Sequence, residues 1–152
     1  GNDENMYLDL NNNELGNLTI NNSGYSVIAR DPLNLKGNLI ITAGTFNKGS
    51  QNINMEGSFI NAGGTITSTG GTITFDGSGD VTCDAISNAA TSLNVSKTSG
   101  GSVTTTGNSD FDKVYINSGS YIIDGETITS DNYVYVQGGT LKIESGLFHS
   151  TN

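Results

Sequence analysis

"AGGTITSTGGTITFDGSG", residues 62–79, spells GGTIT twice and then runs out into glycine, serine and aspartate. Ile66 and Ile73 each stand between threonines, the period-2 alternation of a strand with one side buried. A phosphate loop would need G-x-x-x-x-G-K-[ST], and no lysine lies in the stretch. A dinucleotide turn would need a strand, a tight turn and a helix, and no helical pattern follows. The stretch therefore reads as two short strands on successive sides of something, with Gly63 and Gly64 as a corner and "FDGSGD" as a junction.

The chain carries that reading in both directions. Moved by 75 positions against itself, it sets Leu8 on Cys83, Leu18 on Leu93, Ile20 on Val95, Leu39 on Val114, Ile41 on Ile116, Phe46 on Tyr121, Ile53 on Ile128 and Phe59 on Val134. Gly44 meets Gly119, and Gly63 with Gly64 meets Gly138 with Gly139. Few polar residues between them match, so what repeats is a pattern of burial and turning. One domain is expected, residues 1–152, made of two copies, 1–75 and 76–150.

A shorter period lies inside each copy. "LTINNSG" at Leu18, "LIITAGTF" at Leu39, "SFINAGGTI" at Ser58, "LNVSKTSGG" at Leu93, "VYINSGSY" at Val114 and "VYVQGGTL" at Val134 share one form. Each has two apolar residues at i and i+2, a polar residue and a glycine-containing corner, and successive members are about 20 residues apart. Parallel coils stacked at about 4.8 Å satisfy each other's backbone, so one or two apolar residues per strand make a sufficient core. The predicted fold is all-β: a single-stranded parallel β-helix, or β-solenoid, of seven to eight coils with roughly 20 residues in each. A β-sandwich or a trimeric β-prism would also show short alternating strands, but neither predicts a 20-residue spacing nested in a 75-residue one.

Composition agrees. Hydrophobic residues make up 34% of the 152-residue chain and charged residues 14%, with one proline and no tryptophan. The regular alternation of apolar residues argues for order, and frequent glycines argue against helix, each costing about 1 kcal/mol inside one. The net charge of −9 disfavours nucleic acid and anionic membrane, both of which need a basic footprint. No apolar run is long enough to span a membrane as a helix. Cys83 has no second cysteine to pair with and falls on the inward side of "DVTCDA" as a small hydrophobe.

At this level of detail "LGNLTINNSG", "GNLIITAGTF", "GSFINAGGTITSTGGTITFDGSGD" and "TSLNVSKTSGGSVTTTG" resemble the repeats of secreted or cell-surface bacterial adhesin-type proteins, which are similar in architecture to filamentous-haemagglutinin and autotransporter β-helices. The resemblance covers nearly the whole chain and implies an extracellular, non-enzymatic spacer, stalk or fibre element. It brings no catalytic residues with it.

Chemistry is thinly signposted. His149, the only histidine, lies near the end and makes a poor general base, and Arg30 is the only arginine. No enzyme is expected. No cofactor is expected either; calcium is the one candidate metal, at Asp76 and Asp80 of "DGSGD", with Asp110 and Asp112 as a second carboxylate cluster. Tyr115 and Tyr135 fall on matching outward positions of adjacent coils and, with Tyr133, are candidates for stacking on a sugar of a glycan or host surface. Met6, Leu8 and Leu10 at one end, and Leu141, Ile143 and Phe148 at the other, still follow the coil pattern. Those ends are expected to stack on a further copy of the chain, head to tail, or on further repeats.

Overall fold

In the computed structural model the described residues are 5–88 and 90–151, so the opening residues 1–4 of the first 75-residue copy lie outside them. The fold is a parallel β-solenoid with about 20 residues per turn, and no α-helix occurs among the described residues. Each coil has three faces. The first holds the leading halves of Leu18–Ala29 and Leu39–Gly49, then Phe59–Asn61, Val81–Cys83, Ser102–Thr105, Ser120–Ile123 and Thr140–Ile143. The second holds Met6–Leu8, the trailing halves of the two long strands, Thr65–Ser68, Ser109–Phe111, Thr127–Ser130 and Leu147–Ser150. The third is a seven-stranded sheet of Glu14–Leu15, Leu33–Leu35, Ile53–Met55, Thr72–Phe75, Ser92–Ser96, Val114–Ser118 and Val134–Val136.

Alternation along these short strands builds the core. Leu33, Leu35, Ile53, Met55, Ile73, Phe75, Leu93, Val95, Val114 and Ile116 all point inward from the third face and are buried, stacked in parallel register. Cys83 is buried among them, and burial pushes its thiol pKa up.

The abundant asparagines have a structural task at the corners. Asn17 Oδ1 accepts the Asn38 N–H at 2.7 Å, and Asn38 Oδ1 accepts the Ser58 N–H at 2.8 Å. Asn52 Oδ1 does the same for Thr72, and Asn108 Oδ1 for Thr127. Corner residues would otherwise leave backbone groups unpaired, so a side-chain oxygen that reaches the next coil replaces the missing sheet bond.

The six look-alike segments do not share a face. Leu18, Leu39 and Phe59 stack in one sheet, whereas Leu93, Val114 and Val134 stack in another. Yet the pairings recur at a shift of 75. Leu39↔Phe59 becomes Val114↔Val134, Phe46↔Ile66 becomes Tyr121↔Leu141, and Ile53↔Ile73 becomes Ile128↔Phe148. A Cβ on Gly64 would meet Ile41 Cγ2 and the Gly44 oxygen; one on Gly139 would meet Ile116 Cγ2 and the Gly119 oxygen. Residues 76–150 thus repeat the contacts of the first copy with the whole pattern turned by one face about the axis. Three chemically similar faces permit this, because a repeat need close only on a whole face and not on a whole coil.

Candidate functional site

Two surfaces stand apart from the uniform wall of the rod. The first is the pair of ends. At one, Met6–Leu8, Glu14–Leu15 and Leu18–Ile20 are paired on one side only among the described residues. Met6 aligns with the buried Val27, so it points toward the axis, yet it is 55% exposed. Leu8, Leu10 and Leu18 are only partly buried, and Met6, Leu8, Leu18, Ile20 and Val27 line an open apolar cavity of 290 Å³. At the other end Val136 and Ile143 align with the buried Ile116 and Ile123 and are 50% and 49% exposed. Val134, Leu141 and Phe148 are partly covered. Inward residues of intervening coils, such as Ile53, Phe59, Ile73 and Leu93, are fully enclosed. Among the described residues, both ends therefore present a partly open slice of core beside a row of strand edge paired on one side only.

The second surface lies on the third face, where one outward column reads Glu14, Asn34, Asn54, Thr74, Asn94, Tyr115, Tyr135. Asn54 Nδ2 donates to Asn34 Oδ1 at 2.9 Å, one rung of an amide ladder. Tyr115 and Tyr135 continue the column as parallel rings, 5.6 Å between centroids and 4° between planes. Tyr133 meets Tyr135 edge-on at 5.3 Å, and the Lys113 ammonium lies 5.6 Å from the Tyr133 centroid. Lys113 also pairs with Asp112 at 3.2 Å, which raises the lysine's pKa. Burial works to raise Asp112, but hydrogen bonds from Lys113, Asn132 and Ser92 and the Lys113 charge outweigh it, and its pKa falls. The patch offers aromatic surface beside one fixed ion pair, a combination able to stack on an apolar ring face and bond its hydroxyls.

No family model, curated protein or solved structure matches this chain. What it does must be read from these surfaces.

The acidic corner differs from a bare carboxylate pair. Asp80 Oδ1 accepts the Ser102 hydroxyl at 2.8 Å and its N–H at 2.9 Å, bonds that hold its pKa down. The Lys97 ammonium feels Asp76, Glu56 and Asp80 together and donates to the Glu56 carbonyl at 3.3 Å. Burial lowers the Lys97 pKa more than those three acids raise it. The cation facing this corner is thus the protein's own. Among the described residues no three metal-ligating side chains come together, and Asp110 and Asp112 belong to separate surroundings, Asp110 with its pKa raised by burial and by Asp131. His149 is exposed.

Sequence reasoning passed over Lys113, Lys48 and Lys97. Parity would have found all three: Lys113 is two before outward Tyr115, Lys48 two after inward Phe46, and Lys97 two after inward Val95.

Proposed function

We propose that this chain is a non-enzymatic structural segment of an extracellular bacterial fibre or surface protein, stacking end to end through its open coils. One observation carries the reading: inward apolar positions enclosed along the rod are about half exposed at both ends, at Met6, Val136 and Ile143. Exposed core beside unpaired parallel edge is covered most economically by another coil of the same geometry, from a second copy or a further repeat. The fit of the sequence to adhesin-type β-helix repeats and its acidic surface, net charge −9, support placing it outside the cell. The non-enzymatic part of the reading draws on the sequence, which offers no catalytic arrangement; Cys83 is buried and Lys97 donates to the Glu56 carbonyl.

Negative-stain electron microscopy of the purified chain tests this. Unbranched filaments of solenoid width that lengthen with protein concentration are expected; separate short rods at every concentration would refute it.

A second reading is favoured by the stacked Tyr115 and Tyr135 rings with Tyr133 against them: a glycan-binding face on the side of the rod. Binding on a glycan array that is lost in Tyr135→Ala, with the fold retained, is its expected signature, and wild-type silence across the array would remove it.

A further inference from the structure

The chain contains, at its middle, one worked example of how the end of one 75-residue copy meets the start of the next. There Phe59 pairs with Cys83, Ile73 with Leu93, Thr74 with Asn94 and Phe75 with Val95. All six apolar residues are fully buried. Moved on by 75 positions, the first partner of each pair becomes Val134, Phe148, His149 and Ser150. The second partners, moved back by 75, are Leu8, Leu18, Thr19 and Ile20. Those are residues of the two open ends, and Val134, Phe148, Leu8 and Leu18 are partly covered there where their counterparts are enclosed. The surrounding contacts repeat as well, since Ile128 pairs with Phe148 as Ile53 pairs with Ile73, and Leu18 pairs with Leu39 as Leu93 pairs with Val114.

We infer that a second copy of this chain docks on the C-terminal end in the register of the internal joint, turned by one face, so that Phe148 stacks on Leu18 and Val134 on Leu8 of the incoming copy. This rests on the end-to-end reading and specifies its seam. A straight continuation would set the second face on itself, with Phe148 over Met6 and His149 over Tyr7. The turned seam sets the Phe148 ring over Leu18, which borders the same open apolar cavity as Met6, Leu8 and Ile20. Two positions depart from the template. Asn11 stands where Ile86 fills the internal joint, and Ser150 where Phe75 does. The seam is accordingly less apolar than the joint, which suits a contact that forms between separate molecules. Its consequence for a fibre is that the Tyr115 and Tyr135 patch turns to a new side at each successive subunit.

Single-cysteine proteins test the register, because outward residues paired across parallel strands lie about 4.8 Å apart, within disulfide reach. Thr19, Tyr7 and His149 are all exposed, so substitution leaves the core untouched. In a Cys83→Ala background, the His149→Cys protein is mixed with the Thr19→Cys protein or with the Tyr7→Cys protein, oxidised gently, and run on non-reducing gels. Crosslinked dimer from the Thr19→Cys mixture is expected at about tenfold or more over the Tyr7→Cys mixture. Equal yields, preference for Tyr7→Cys, or filaments without either crosslink would overturn the turned seam while leaving end-to-end stacking in place. Monomers throughout, with neither crosslink, would overturn both.

Discussion

Tyr121 occupies in the second half of the rod the place that Phe46 holds in the first: Tyr121 pairs with Leu141 as Phe46 pairs with Ile66, and both rings are fully enclosed. The difference is a hydroxyl, which in Tyr121 is buried with no hydrogen-bond partner among the described residues. Burial, and then the nearby Cys83, push its pKa well above the usual tyrosine range. An unpaired buried hydroxyl costs about 1–3 kcal/mol. Tyr121→Phe is therefore expected to leave stability unchanged or raise it by about 1 kcal/mol, read as the urea midpoint. A loss of 1 kcal/mol or more would mean that the hydroxyl is satisfied.

Glycine corners sort into two kinds. A Cβ on Gly64 would sit 2.1 Å from Ile41 Cγ2, whereas one on Gly79 meets nothing within 4 Å. Ile41 is fully buried and cannot withdraw freely. Gly64→Ala should destabilise by roughly 1–3 kcal/mol through overpacking, and Gly79→Ala should stay within about 0.5 kcal/mol of wild type. Thermal melts of the two variants side by side check this, and equal melting temperatures would contradict the close coil contact at Gly64.

Phe75 tests how far the core is shared between coils. It lies between Met55 and Val95 in one stack and is fully enclosed. Phe75→Ala should cost about 3–5 kcal/mol, since the coils on either side hold the cavity open. A cost under about 1 kcal/mol, measured by urea unfolding, would show that the joint between the two copies is not packed as described.

Two buried groups make opposite contributions at alkaline pH. The Lys48 ammonium is enclosed at a corner, donating to the Gln51 carbonyl at 2.9 Å and to the Gly70 carbonyl, and burial brings its pKa down to about 8. Between pH 8 and the ordinary lysine value of 10.5 the unfolded chain keeps a proton that the folded chain has shed, so this group makes stability rise with pH. Cys83 is the reverse. Its raised pKa gives a contribution that is whole below the ordinary value of 9.0 and is lost as pH climbs past it. Lys48→Met should remove the rising part, so that wild-type stability relative to the variant grows between pH 8 and 10.5. Cys83→Ala should remove part of the fall. Urea midpoints across pH 7–10.5 decide it, and a flat difference for Lys48→Met would contradict a buried ammonium.

The solenoid was legible because its two signals are local. Pairs such as Leu39 and Ile41 or Val114 and Ile116 mark a strand with one inward side, and the recurrence of those pairs about every 20 residues marks the coil. Face assignment was not legible. Leu39 and Val114 begin the same apolar alternation and make equivalent pairings, with Phe59 and Val134, yet lie on the first and third faces, because nothing local records how many corners have gone before. The tyrosine pair was visible from spacing, as Tyr115 and Tyr135 are one coil apart at the same parity. Parity marks Lys97 as inward, but its acidic neighbours Glu56, Asp76 and Asp80 were hidden, since they come from different coils and meet it only once the rod is wound.

Sedimentation velocity over a hundredfold range of concentration, on wild type, Met6→Lys and Ile143→Lys, tests the central claim most directly. Met6 and Ile143 are half exposed at opposite ends, so a lysine there places a charge in the stacking surface while leaving the enclosed coils intact. The account predicts that wild type grows into a series of heavier species as concentration rises and that each variant, with an unchanged β circular-dichroism signal, remains at monomer mass. A wild type that stays monomeric throughout, or variants that assemble as readily as wild type, would contradict it.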